Sequence, residues 1–163
     1  KINALYLRSV IFGINDSLVS TVGFLAGVSV AGVPTVAIVL TGIIYTLVES
    51  FSMAMGDFLS EESAEEYISR SNVKDRPSII SAMFMFISCV IASLIPLAPY
   101  IMLPAGIALP VSVGISVGAL FIVGMISARF SRLPMLWRGA RMALLGGATI
   151  VLGVAIGIFM PVA

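Results

Sequence analysis

The chain contains no histidine and a single cysteine. Without histidine it lacks the commonest metal ligand and the usual proton switch near neutral pH. Cys89, set in an apolar run, excludes a disulfide within the chain and any cysteine-cluster metal site. Charge is also scarce. Only 10% of the 163 residues are Asp, Glu, Lys or Arg, where a soluble domain carries about 25%. The net charge of +1 offers no basic surface for nucleic acid. What is abundant is apolar: 60% of residues are hydrophobic and the mean hydropathy is +1.15. These figures describe an all-α integral membrane protein, with residues 1–163 forming one transmembrane domain and no separate soluble or enzymatic unit. The first apolar run is too long, and is interrupted by Asp16, to read as a cleavable signal peptide.

A spanning helix needs about 20 mostly apolar residues, and five segments qualify: 10–30, 36–59, 79–103, 109–126 and 142–160. Turn chemistry separates them. Gly32-Val33-Pro34 follows the first, Pro77 opens the third, Pro104 to Pro110 brackets the next turn, and Pro134 precedes the last. Pro96 and Pro99 should kink the third span or end it early. All nine basic residues fall at alternate junctions. Lys1 and Arg8 precede the first span, Arg70, Lys74 and Arg76 follow the second, and Arg129, Arg132, Arg138 and Arg141 follow the fourth. Cytoplasmic loops collect Lys and Arg, so the N-terminus is expected inside and the C-terminus outside, with Trp137 as an interfacial aromatic.

The second span reads VLTGIIYTLVESFSMAMGDFLSEESAEEYISR. Glu49, Met53, Asp57, Glu61 and Glu65 recur every four residues, which stacks them on one slowly drifting face of a helix. Glu62 and Glu66 widen that stripe. The helix is therefore expected to run past the bilayer into an acidic extension and short loop over residues 60–76, for a total of roughly 50 Å. Carboxylates suit hard divalent cations, and a thioether adds preference for later transition metals. Such a mixed set would hold Fe²⁺ or Mn²⁺ weakly enough to release it. The competing structural readings are that Met53 fills space and that Glu61, Glu62, Glu65 and Glu66 are an ordinary solvated helix end. Glu49 resists the bland reading, because an ionisable residue within a membrane segment defaults to function.

Asp16, in FGINDSLVST, has the same character. It lies about 9 Å in from residue 10 at helical rise. The connection over residues 31–35 is short, so the first two helices should be antiparallel neighbours. Asp16 would then face the acid stripe, where two carboxylates in low dielectric must share a proton or a cation. Gly23 with Gly27, Gly114 with Gly118, and Gly153 with Gly157 form G-x-x-x-G pairs that mark close helix packing. Five spans make a small bundle, and a symmetric dimer with the path on its axis is the expected way to enclose an ion.

RSVIFGINDSLVSTVGFLAGVSVAG followed by FSMAMGDFLSEESAEEY resembles the vacuolar iron transporter family, which includes plant nodulin-like metal transporters and prokaryotic members. The resemblance runs in order along nearly the whole chain. It implies a homodimer of five-span subunits that moves Fe²⁺, and often Mn²⁺, out of the cytosol against protons. It also implies ion ligation by Asp16 and Met53, with no permanently bound cofactor. The membrane would be the plasma membrane in a prokaryote, or a vacuolar or other organelle membrane in a eukaryote. Two departures stand out. The acid that plant-type members carry two turns before the methionine falls on Tyr45, while Glu49 stands one turn nearer. The large cytoplasmic metal-binding insertion is reduced to residues 71–76, with the neighbouring glutamates as its remnant. The rival readings are a passive divalent cation channel and a non-transporting membrane partner protein.

Overall fold

The computed structural model describes residues 2–69, 76–131 and 134–162. Lys1, Arg70, Lys74 and Arg132, which oriented the chain above, lie outside the described residues, as do residues 70–75 of the expected acidic extension and loop. Five helices follow one another: α1 (Ile2–Val30), α2 (Thr35–Ser69), α3 (Arg76–Met102), α4 (Ala105–Ser131) and α5 (Met135–Phe159). Each is long and apolar enough to cross a membrane. The protein is an integral membrane protein built of five antiparallel-consecutive helices.

The first turn is made by glycine chemistry. Gly32 adopts φ +87°, a left-handed conformation that costs glycine nothing. Gly32 N donates to Ser29 O (3.2 Å) and Val33 N to Val28 O (3.2 Å), the paired bonds of a Schellman ending that satisfies the last carbonyls of α1. Pro34 cannot continue α1, and its carbonyl instead accepts the Ile38 N–H (3.0 Å) at the start of α2. With 35 residues, α2 is about 52 Å long at helical rise, so the acids of the second segment do continue one helix.

Pro96 and Pro99 do not end the third helix early, and Pro110 does not lie in a turn. α3 runs through Pro96 and Pro99 to Met102, and α4 begins at Ala105 and contains Pro110. The turn between them is therefore shorter than a bracket from Pro104 to Pro110. Each internal proline removes one backbone bond, but a membrane helix can keep its path where neighbouring side chains take up the freed groups. Ser112 Oγ on α4 also ties the two helices together here, donating to the Pro96 carbonyl at 2.6 Å. At the other junction the Arg138 N–H bonds to Pro134 O (3.2 Å), so α5 starts a full two turns before the apolar segment at residue 142. Arginines lower hydropathy there without breaking the helix.

α1 is the central helix. It packs most extensively on α3 and α5, which run parallel to it, while α4 packs on α5 and more lightly on α1 and α3. The α1–α5 seam is glycine on glycine. Gly27 lies against the Gly153 carbonyl, Gly153 against Gly23 O, and Gly157 against Gly27 O, close enough that no side chain fits between. Two of the three G-x-x-x-G pairs thus serve contacts inside one chain, whereas Gly114 and Gly118 face open space. The tail closes over this seam through Val162 N→Ala31 O (2.8 Å). α2 does return antiparallel to α1, but its main support is α3, and its seam with α1 is slight.

Candidate ion-binding groove

Polar groups gather where α1, α2 and α3 meet. At the end of the bundle that carries Arg8, Asp57 on α2 is only 6% exposed. Ser81 Oγ on α3 donates to its Oδ2 at 2.7 Å. Ser9 Oγ on α1 lies 3.2 and 3.1 Å from the two carboxylate oxygens and 2.7 Å from Ser81 Oγ. Two hydroxyls bring two protons, so these contacts cannot all be bonds at once. The short distances favour a relay in which Ser9 donates to Ser81 and Ser81 to Asp57. One turn further out, Glu61 is paired with Arg8 at 2.9 Å. Arg8 is 63% exposed, so the pair contributes about 0–1 kcal/mol.

Deeper in the bundle, Glu49 is half-buried. Tyr45, one turn earlier on α2, donates its hydroxyl to Glu49 Oε1 at 2.9 Å. The Tyr45 ring is itself fixed by stacking on Phe24 of α1, with centroids 4.6 Å apart and planes 9° from parallel. Glu49 Oε2 is buried and has no hydrogen-bond partner. Asp16 on α1 is near enough for its charge to act on Glu49. Asn15 Oδ1, Ser17 Oγ, Thr46 Oγ1 and Ser50 Oγ are also buried without partners. An unmet polar atom away from water costs several kcal/mol, and of these five residues Glu49 borders a cavity.

Two cavities run along this region. One, of about 490 Å³, is lined by Thr41, Ile44, Tyr45, Val48, Glu49, Ser52 and Met53, every one of them on α2. The other, of about 390 Å³ and nearer the Arg8 end, is lined by Arg8, Phe12, Met53, Gly56, Asp57, Ser60 and Met85. Met53 is the residue they share. A larger cavity of about 540 Å³ between α2 and α3 has a wholly apolar lining and no chemistry of this kind.

The structure thus places Glu49, Met53 and Asp57 along one groove, with Asp16 beside Glu49 but lining neither cavity. Glu62 and Glu65 are half-buried and Glu66 is exposed, beyond the Glu61–Arg8 pair. Among the described residues no three His, Cys, Asp or Glu side chains converge as a metal cluster. The serines of the Asp57 relay had no sequence signal, since they lie 48 and 24 residues away. Tyr45 did have one, the four-residue spacing to Glu49 that stacks them on a helix.

A five-helix membrane bundle with carboxylates and a thioether along one face of α2 has the make-up of a membrane protein that handles cations. Comparison with known proteins gives the family: residues 7–80 and 70–158 match the VIT family, and the chain belongs to it. A 75-residue stretch is 32% identical to vacuolar iron transporter 1 of Tulipa gesneriana. That match spans 46% of this chain and 30% of the tulip protein.

Proposed function

We propose that the protein exports a divalent transition metal, Fe²⁺ or Mn²⁺, from the cytosol in exchange for protons. The observation that carries this reading is Met53, whose side chain borders both stacked cavities while a carboxylate stands at each level, Glu49 in one and Asp57 in the other. An ion moving along α2 would exchange one carboxylate for the next without leaving the soft sulfur. Hard oxygen donors and a single thioether favour Fe²⁺ or Mn²⁺ over Mg²⁺ without holding either tightly.

In this reading Asp16, Glu49 and Met53 are the ligands in the membrane, and Asp16 and Glu49 share the proton that the ion displaces. Asp57 receives the ion at the mouth. Glu61, Glu62, Glu65 and Glu66 draw cations to that mouth by charge. The Arg8 end faces the cytosol, as its basic residues require. A homodimer completes the path. Support for it comes from the outer cavity, which is walled by α2 alone.

The test is metal uptake into proteoliposomes, with and without a pH gradient, across a panel of divalent ions. Fe²⁺ or Mn²⁺ uptake that rises with the gradient is the expected result. Flux indifferent to the gradient would make the protein a passive channel. No flux from folded, reconstituted protein would leave it a membrane partner protein and end the transport reading.

A further inference from the structure

The arginines around the start of α5 have no counter-charge in their part of the chain. From Arg76 to Ala163 there is no Asp or Glu, while Arg129, Arg132, Arg138 and Arg141 all fall there. Six of the eight acids sit on α2, which packs on α3 and α1. Among the described residues the ion pair is that of Arg8 with Glu61, and none forms at Arg129, Arg138 or Arg141. Arg129 and Arg141 are exposed and Arg138 is half-buried. The helices that carry them touch at backbone level: a methyl built on Gly124 of α4 would lie 2.7 Å from the Gly139 Cα of α5. Counted from that contact at helical rise, Arg129 lies about 6 Å nearer the end of the bundle than Arg138, and Arg141 about 4.5 Å further in. About 20 residues cross the hydrocarbon. Counting back from Phe159, the last residue of α5, puts its boundary near Ala140. Arg138 is thus at headgroup level and Arg141 at the hydrocarbon edge. Trp137, 70% exposed, stands one turn from Arg141 on the same face, and the exposed Leu144 and Leu145 continue that face inward. The buried face of α5, through Gly139, Gly146, Ile150 and Gly157, looks the other way.

We infer that Arg138 and Arg141, with Trp137 beside them and Arg129 above, hold the phosphate of an anionic phospholipid. α5 runs parallel to α1, so the lipid belongs to the leaflet at the Arg8 end. A guanidinium pairs with a phosphate through two parallel N–H···O bonds. An indole at headgroup depth fixes the level of the site, and the acyl chain lies on Leu144 and Leu145. Charge selects the lipid. Three cations gathered at the edge of a low-dielectric layer repel one another, and an anion among them removes that repulsion. A zwitterionic lipid brings its own cation and leaves the cluster uncompensated. The competing structural reading is that each arginine snorkels to water and that the group only orients the chain. Neither role gives the surface a preference among lipids, and a preference is what the arrangement predicts.

Trp137 is the only tryptophan in the chain, so its fluorescence reports on this site alone. The experiment reconstitutes the full chain, without metal, in phosphatidylcholine vesicles. Brominated phosphatidylglycerol or brominated phosphatidylcholine is titrated into both leaflets, so that orientation does not matter. Bromine quenches an indole that it touches. The anionic lipid should quench at the lower mole fraction, by roughly 5–25-fold, at about fivefold for each arginine that reaches the phosphate. Arg138→Gln with Arg141→Gln should bring the two lipids level. Arg138→Lys with Arg141→Lys should keep most of the preference, a rescue that a disturbed fold would not give. Inorganic phosphate should not relieve the quenching. The inference is overturned if wild-type protein does not distinguish the lipids, if the preference survives the glutamine pair, or if the lysine pair loses it as fully as the glutamine pair. Displacement by inorganic phosphate would make this a plain phosphate site, and fluorescence that neither lipid quenches would mean that a second copy covers the face; either result also overturns it. No flux enters the measurement, so its outcome is separate from that of the transport reading.

Discussion

Ser81→Ala should loosen the end of the bundle where Asp57 is held, and by more than Ser9→Ala. Ser81 makes the short contact, 2.7 Å to Asp57 Oδ2, in the range of a charge-assisted bond. Hydrogen bonds to charged groups contribute about 1.5–3 kcal/mol. Ser9, at 3.1 and 3.2 Å from the carboxylate oxygens, remains to donate in the mutant, so the loss should fall in the lower half, about 1.5–2 kcal/mol. That is more than tenfold in the folding equilibrium. Ser9→Ala leaves the short bond intact and should cost about 0.5–1.5 kcal/mol. With both serines gone, a nearly buried carboxylate has no donor, and the double mutant should exceed the sum of the singles by about 0.5–3 kcal/mol. Reversible unfolding in mixed micelles, titrated with denaturing detergent and followed by far-ultraviolet circular dichroism, gives the three differences. A Ser9→Ala cost equal to or above that of Ser81→Ala, or strictly additive small effects, would refute the relay from Ser9 through Ser81 to Asp57.

Gly153→Val should disrupt folding, costing about 1–3 kcal/mol or more of overpacking, because Gly153 lies against the Gly23 carbonyl. Gly118→Ala, in open space, should be neutral or stabilise by up to about 1 kcal/mol; the same unfolding assay compares them. Asp16→Asn keeps size but removes the charge beside Glu49, and reconstituted protein should lose metal flux while eluting as wild type on size exclusion. Met53→Leu should cost less than about 1.5 kcal/mol of stability and weaken Fe²⁺ binding more than Mg²⁺ binding in calorimetric titrations; equal effects would make Met53 filler. Changing Glu62, Glu65 and Glu66 together to Gln should lower apparent metal affinity and spare the maximal flux. Flux at subsaturating metal should then lose its salt sensitivity, which in wild type reflects screening over about 8 Å at physiological ionic strength.

The five spans were legible because their breaks are chemical, as at Gly32, Pro34 and Pro134, and because basic residues cluster at alternate junctions. Pro96 and Pro99 do not end α3, and Pro110 lies inside α4 rather than in a turn, because a membrane helix tolerates an internal proline where its surroundings satisfy the backbone again. The preference of α2 for α3 over α1 was not legible. In a membrane helix the apolar residues face protein and lipid alike, so hydropathy does not tell the partner side from the lipid side. The acid stripe was readable from its spacing, yet the fate of Asp57 was not, since Ser9 and Ser81 are ordinary serines until the fold sets them beside it. Tyr45 was read for the acid it replaces; its stacking on Phe24 and its bond to Glu49 give it work of its own. The glycine pairs announced close contacts but not which helix would supply the other half.

Mechanically, α2 is a beam with an overhang. One support is the turn at Gly32, tied down by the tail through Val162. The other is the clasp at Asp57, 22 residues along from Thr35 and so about 33 Å away. Glu49 and Met53 lie between the supports. Beyond the clasp the beam continues for the 12 residues from Phe58 to Ser69, an arm of about 18 Å that is tied to α1 by the Arg8–Glu61 pair and carries Glu61, Glu62, Glu65 and Glu66. A load on that arm reaches the Arg8–Glu61 pair and the two serine hydroxyls at Asp57 before it reaches the span between the supports, which leans on α3.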